Sequence, residues 1–454
     1  MVRLTRAHVS IPHLLLIISR LTESQHTALP MERHASSLKD WKLSLLEQIV
    51  DHSEGKEAGV FMQRYLSSDQ FFDSKRPIAF VSITAMDPEY AHDIWGAAKD
   101  AKALVLLVEE RCTYEAQRVE DIAYLGRQLQ EKFPNIKIVV FGCSTAGIIA
   151  GTAREKHSDV FIGAVVSSAP TNVKLIDDMY TLVEARDLSR PSLGGSPQCL
   201  AAVTKAHADF QKMMATPQGR QETENKFRFC PGTFDNVTNQ LYATFGGNLF
   251  GFFLLYNDPT CTKDYCNIKR ICQRLAKGSE SVLDKLADIH NTNVPIKPGF
   301  CREGSIDLLM KVLRDANSSW KLRLDQFFVC YSRGLLTECK PGSCPFYTRG
   351  TGIDFWLMVC KEGFGLSRDD ILESLERTQE YVGGNLHGAT NILSINGDTD
   401  PWYPTSITKR RASLDVLRVK DEAHCAWCRR PIPYVVEAIG KAVAKWVTDD
   451  TTEA

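Results

Sequence analysis

A serine, a pair of aspartates and a histidine, in that order along the chain, are the residues whose types and surroundings could do chemistry. Ser144 lies in the stretch FGCSTAGIIAG from Phe141 to Gly151, directly after the β-branched run Lys137-Ile138-Val139-Val140. A serine on a sharp strand-to-helix turn needs small neighbours, because the elbow brings the strand backbone and the following helix close together. Gly142, Ala146 and Gly147 supply them. The same spacing also suits an ordinary tight turn. A nucleotide phosphate loop is poorly supported, because no G-K-[ST] follows.

A nucleophilic serine needs a base, and the base needs an acid to orient it. Downstream, the strand-like run Asn391-Ile392-Leu393-Ser394-Ile395 leads into Asn396-Gly397-Asp398-Thr399-Asp400-Pro401-Trp402, a turn with two carboxylates. A second run, Leu414 to Val419, leads through Lys420-Asp421-Glu422-Ala423 to His424. Nucleophile, then acid, then histidine is the order found on the α/β-hydrolase fold. In such a site His424 takes the Ser144 hydroxyl proton and an aspartate stabilises the charged imidazole. Chemistry alone leaves Asp398 and Asp400 both open, since Asp398 would serve equally well as a turn former. The segment His424-Cys425-Ala426-Trp427-Cys428 also resembles a redox C-x-x-C or half of a metal site. Redox chemistry of that kind wants the motif at a helix start early in a βαβ unit, and zinc wants matched pairs. The reading therefore calls for no metal and no cofactor.

The elements that must position these residues follow from hydrophobic periodicity. From about residue 77 the pattern predicts strand Pro77 to Ile83, helix Ala91 to Asp100, strand Ala103 to Val108, helix Glu120 to Phe133 and strand Ile136 to Phe141. A helix then runs to His157 and a strand from Val160 to Ser167. Alternation of this kind predicts a parallel sheet with helices on both faces. After Pro170 the sequence turns amphipathic and cysteine-rich without β-branched runs up to about residue 385, which predicts a mostly helical inserted cap. Strands return at 391–395 and 413–419, and a helix at 435–447 follows. The expected division is a core over 40–175, a cap over 176–385 and the rest of the core over 386–454.

At 454 residues and 44% hydrophobic content, the chain suits one large domain with an insertion. Lys and Arg total 54 against 55 Asp and Glu, giving a net charge of -1. That balance excludes a nucleic-acid binder, which needs clustered cations for phosphates. Arg3 and Arg6 precede an apolar run from Ile11 to Ser19, so residues 1–24 read as a signal peptide, too short for a stable membrane span. Fourteen cysteines, most of them between Cys199 and Cys360, read as disulfides of an oxidising compartment. Glycosylation sequons at Asn236 and Asn317 agree with a secreted or lysosomal destination.

Along most of its length the chain resembles the prolyl-type serine peptidase family of lysosomal Pro-X carboxypeptidase, dipeptidyl peptidase II and thymus-specific serine protease. Gln48-Ile49-Val50-Asp51-His52 is similar to the family's Q-x-L-D-H-F, and Phe61-Met62-Gln63-Arg64-Tyr65 with Asp69-Gln70-Phe71-Phe72 to F-x-Q-R-Y-x-x-N-D-Q-Y-W. Ala103-Leu104-Val105 with Glu109 and Arg111 is similar to A-L-V-x-x-x-E-H-R, and Gly142 to Gly147 to G-G-S-Y-G-G. Cys360 to Gly365, Tyr381 to Gly384 and Asn396 to Trp402 resemble C-x-D-x-F-G, Y-x-G-G and N-G-x-x-D-P-W, and Ala423-His424-Cys425 resembles the A-H-C of the thymus type.

The resemblance implies Ser144 as nucleophile, Asp400 as acid and His424 as base, an inserted helical cap, peptide substrates cut at bonds following proline, and room for a homodimer. It leaves carboxypeptidase and dipeptidyl peptidase action both open. Three departures stand out. Ile83-Thr84-Ala85-Met86 replaces G-G-E-G, Glu109 to Tyr114 replaces E-H-R-Y-Y-G, and Cys143 replaces a glycine. The first falls where an oxyanion-hole donor is expected, and loss of one such donor lowers rate by ~10²–10³. That motivates an alternative, a silent relative that binds peptides without cutting them; a further one is an esterase on the same fold. Cys143 is read as a packed spectator, since buried cysteine behaves as a small hydrophobe.

Overall fold

The computed structural model describes residues 40–84, 86–111, 113–243, 254–315, 321–340, 344–346 and 352–452. The leader, Cys112 and Asn317 lie outside the described residues. Among the described residues there are ten strands: β1 (Lys42–Asp51), β2 (Gly55–Ser68), β3 (Ile78–Thr84), β4 (Leu104–Glu109), β5 (Lys137–Cys143), β6 (Phe161–Ser167), β7 (Lys174–Asp177), β8 (Gly334–Thr337), β9 (Ile392–Gly397) and β10 (Leu414–Val419). Eight of them form one sheet in the order β1-β2-β4-β3-β5-β6-β9-β10. β3, β4, β5, β6, β9 and β10 run parallel. This is the strand order of the α/β-hydrolase fold, the class anticipated above.

The central strands form because both of their faces are buried, which selects continuous apolar runs. β6 is buried at every position and β4 at all but its last. Alternate residues feed two cores. Val81, Leu106, Val140, Ala164 and Ile392 face one side, where the helices α1 (Glu115–Lys132) and α2 (Thr145–Lys156) pack. Phe80, Val105, Val139, Val165 and Leu393 face the other, against α3 (Pro433–Thr452) through Val435, Ile439, Val443 and Trp446. α1 begins at Glu115, five residues before the expected start.

The sheet is mixed rather than wholly parallel: β1 pairs antiparallel with β2, and β2 with β4. The hairpin is held by a buried polar network built from the N-terminal motifs. Gln48 Nε2 donates to Gln63 Oε1 (3.0 Å) and to the Asp121 carbonyl (3.1 Å), and Gln63 Nε2 donates to the Glu109 carbonyl (2.8 Å). Asp121 meets His52 Nε2 and Arg111 Nε, each at 2.8 Å. Gln48, His52, Gln63, Glu109 and Arg111, which carry part of the resemblance, therefore fasten a sheet edge.

Between β6 and β9 the chain leaves the sheet, and its described residues form mostly helices. It also contains a short parallel pair, β7 with β8, which the absence of β-branched runs did not suggest. Five disulfides staple this segment: Cys199–Cys272, Cys230–Cys301, Cys261–Cys266, Cys330–Cys360 and Cys339–Cys344. No described helix is long and apolar enough to cross a membrane.

Candidate active site

Ser144 stands between the end of β5 and the start of α2 with φ 59° and ψ −129°. A non-glycine residue in that conformation costs about 1–3 kcal/mol and persists only where its surroundings enforce it. Two glycines enforce it by proximity. A Cβ on Gly142 would lie 2.1 Å from the Ala146 carbonyl oxygen, and one on Gly147 would lie 2.8 Å from the Ala169 Cβ. The Ser144 N–H donates to the Ser167 carbonyl at 2.9 Å, and its carbonyl accepts from Gly147 N–H at 2.9 Å. The side chain is left partly exposed at the carboxyl end of the sheet.

The two aspartates after β9 separate by their partners. Asp400 is buried; its Oδ1 accepts the Trp402 N–H at 2.9 Å and its Oδ2 lies 2.8 Å from His424 Nδ1. Asp398 has a different set of partners. Its Oδ1 accepts from Arg190 Nη1 (3.1 Å) and the Asp421 N–H (2.8 Å), and its Oδ2 from Arg190 Nη2 (3.1 Å) and Arg418 Nη2 (2.7 Å). Burial would raise the Asp398 carboxyl, but the hydrogen bonds from Arg190 and Arg418 hold it below the usual carboxylate range.

His424 is buried on the loop after β10, its N–H donating to the Leu255 carbonyl at 3.2 Å. Tyr256 meets the imidazole edge-on with centroids 6.1 Å apart, and the Arg429 guanidinium lies 4.7 Å from the Tyr256 ring centre. Arg429 Nη2 also donates to the His424 carbonyl at 2.9 Å. On the acid side, Tyr180 packs edge-on against Trp402 at 4.6 Å. Tyr180, Arg190, Leu255 and Tyr256 all come from the segment between β6 and β9, so that segment reaches both the acid and the histidine loops. None of them carried a signal in the sequence, where isolated tyrosines and arginines of amphipathic helices look alike.

Cys143 is not a packed spectator. It is disulfide-bonded to Cys425, with Cα atoms 6.2 Å apart. The reason is topological: Cys143 ends β5 opposite Ser167 of β6, and the histidine loop lies against the same end of β6, where the Cys425 N–H donates to Ser168 Oγ (3.1 Å) and Trp427 Nε1 to Ser167 Oγ (2.9 Å). The residue before Ser144 is thus joined to the residue after His424.

The model of the family described as serine carboxypeptidase S28 matches residues 48–431, most of the chain and all of the residues just described. The chain belongs to the S28 serine peptidase family. Thymus-specific serine protease of Mus musculus is 26% identical over 446 aligned residues, covering 85% of this chain and 82% of that protein. Lysosomal Pro-X carboxypeptidase of Mus musculus is 22% identical, covering 85% and 84%. Among solved structures, a proline iminopeptidase of Mycobacterium smegmatis aligns at a TM-score of 0.35 with 10% identity, covering 90% of this chain and 100% of that one. A peroxisomal α/β-hydrolase of Saccharomyces cerevisiae aligns at 0.38 with 10% identity, covering 90% and 88%. As a member of the S28 family the protein is a serine peptidase, a hydrolase acting on peptides.

Proposed function

We propose that the protein is an exopeptidase cutting at bonds that follow proline, with Ser144 as nucleophile, His424 as general base and Asp400 as the acid that orients it. The observation that carries this reading is the contact of 2.8 Å between His424 Nδ1 and Asp400 Oδ2, both buried, on the loop tied to the serine elbow. With its Nδ1 hydrogen given to Asp400, the imidazole keeps an Nε2 lone pair that would take the Ser144 proton. The serine oxygen attacks the substrate carbonyl as its proton passes to Nε2. Thr145, first residue of α2, has an N–H with no partner inside the helix and would receive the oxyanion. On this fold the second donor is expected from a backbone N–H after β3. His424 then protonates the leaving amine, and water hydrolyses the acyl-enzyme.

The relative named for Pro-X carboxypeptidase action supports the proline preference and the exopeptidase mode. We place the protein in the secretory route or the lysosome, on the strength of six disulfides among the described residues and that lysosomal relative. Asn236 is exposed at the start of a short helix, open to a glycan.

The test is active-site labelling. A fluorophosphonate probe should label the wild type and not Ser144→Ala, and X-Pro peptides should be hydrolysed faster than acyl esters. Unchanged labelling of Ser144→Ala removes Ser144 from the mechanism. Faster ester hydrolysis favours an esterase, and no turnover with retained peptide binding favours the silent relative motivated by the Ile83-to-Met86 departure.

A further inference from the structure

Among the described disulfides, Cys143–Cys425 alone lies outside the inserted segment, closing a separation of 282 residues. Consecutive Cα atoms are ~3.8 Å apart. Bonding the neighbour of Ser144 to the neighbour of His424 therefore limits how far the elbow and the histidine loop can part. Besides that bond, the elbow and the histidine loop are each hydrogen-bonded to the neighbouring strand end, at Ser167 and Ser168.

A third sulfur stands beside the bond. Cys428 is a buried free thiol whose Sγ lies within 4.8 Å of the sulfurs of both Cys143 and Cys425. Its thiol is 3.8 Å from Asp93 Oδ2. Burial, and then the Asp93 charge, push the Cys428 thiol well above its ordinary range, which slows its attack on the closed bond. Cys143 is the partly exposed end of the bond, whereas Cys425 and Cys428 are buried.

We propose that the Cys143–Cys425 disulfide is a reducible clamp that sets the spacing of Ser144 and His424, and that Cys428 competes for Cys425 once the clamp is open. The inference rests on the roles assigned above to Ser144 and His424. In the opening step, a thiolate of a small dithiol attacks the sulfur of the partly exposed Cys143; the sulfur–sulfur bond breaks, and Cys425 leaves as a thiolate and takes up a proton. The second thiol of the reductant displaces Cys143, so the reductant departs as a cyclic disulfide and both cysteines are thiols. Oxidised glutathione, becoming two molecules of glutathione, then closes Cys425 onto either Cys143 or Cys428. Only the first product restores the clamp. Cys143 and Cys425 act here as positioning residues: proton transfer needs near-contact of hydroxyl and imidazole, so their loss falls on the chemical step more than on binding.

The experiment treats the full chain with limiting dithiothreitol, then alkylates and maps cysteines by mass spectrometry to find protein in which only this bond has opened. In that species the saturating rate of fluorophosphonate labelling at Ser144 should fall at least about tenfold, with the half-saturating concentration within about threefold and the thermal midpoint retained. Oxidised glutathione should restore the wild type in part and Cys428→Ser in full. Cys143→Ser/Cys425→Ser should label slowly and ignore dithiothreitol. An opened bond with an unchanged labelling rate overturns the clamp, as does a loss of rate that only accompanies melting. Equal recovery of wild type and Cys428→Ser removes Cys428 from the scheme. If the double variant fails to fold, the wild-type titration carries the test. Absence of labelling in the oxidised protein would instead defeat the assignment of Ser144 itself.

Discussion

Both terminal nitrogens of Arg190 lie 3.1 Å from the carboxylate of Asp398, one on each oxygen. Arg190 belongs to the segment inserted between β6 and β9, and Asp398 to the loop that also carries Asp400, so this fork joins the insertion to the acid loop. Its carboxyl is held below the usual range, so the pair contributes stability above the unfolded value of ~3.9 that is lost as pH falls through the lower folded value. Arg190→Ala should therefore lower stability by about 1–3 kcal/mol near neutrality, with Arg418 left to meet the buried charge. The difference from wild type should shrink below about pH 4. Thermal melts across pH check this; a gap that stays constant into acid would show that the fork carries no such weight.

The separate partners of the two aspartates give opposite outcomes on substitution. Asp400→Asn should lower kcat by roughly 10²–10⁴ with little change in KM, because an amide no longer favours the imidazolium or its tautomer. Asp398→Asn should keep kcat within about tenfold while lowering the thermal midpoint, because a buried fork is broken. Steady-state kinetics on one peptide decide it. The reverse pattern would exchange the roles of the two residues.

Gly142 has no room for a side chain, since the nearest atom to an added Cβ is the backbone oxygen of Ala146 at 2.1 Å and cannot swing aside. Gly142→Ala should thus move the whole turn between β5 and α2, at a cost of about 3 kcal/mol or more. Fluorophosphonate labelling should be lost even in protein that stays soluble. Normal labelling with normal stability would mean that the elbow tolerates a conformation other than the one described.

The central sheet was legible because strands buried on both faces are continuous apolar runs, and β3 to β6 each lie within two residues of their expected limits. The edge hairpin β1–β2 was not, because half of its residues face solvent or a polar network whose members, Glu109, Arg111 and Asp121, lie dozens of residues away. β7 and β8 are four residues each, too short for periodicity to register. Residue chemistry likewise left Asp398 and Asp400 equivalent. What distinguishes them in space is the approach of Arg190 and Arg418, which no local spacing encodes. The Cys143–Cys425 pairing lay beyond reach for the same reason, with 282 residues between the partners.

Glu184, fully buried on the helix Tyr180–Leu188, has its carboxyl pushed up to about 8, first by burial and then by the nearby charge of Asp187. Asp93, equally buried, is pushed up to about 7, chiefly by burial. A carboxyl whose folded value is raised keeps its proton in the native state while the unfolded chain has already released it. Stability therefore falls as pH rises from the unfolded value toward the folded one, between about 4.5 and about 8 for Glu184, by up to ~1.4 kcal/mol per unit per group. Within that window these two carboxyls favour the fold at the lower pH. Glu184→Gln removes the titration at nearly constant volume, so it should gain little at pH 5 and raise the thermal midpoint at pH 8. Melts of wild type and variant at those two values check the sign. A Glu184→Gln protein whose stability declines between them as steeply as the wild type would show that this carboxyl is already ionised in the folded state.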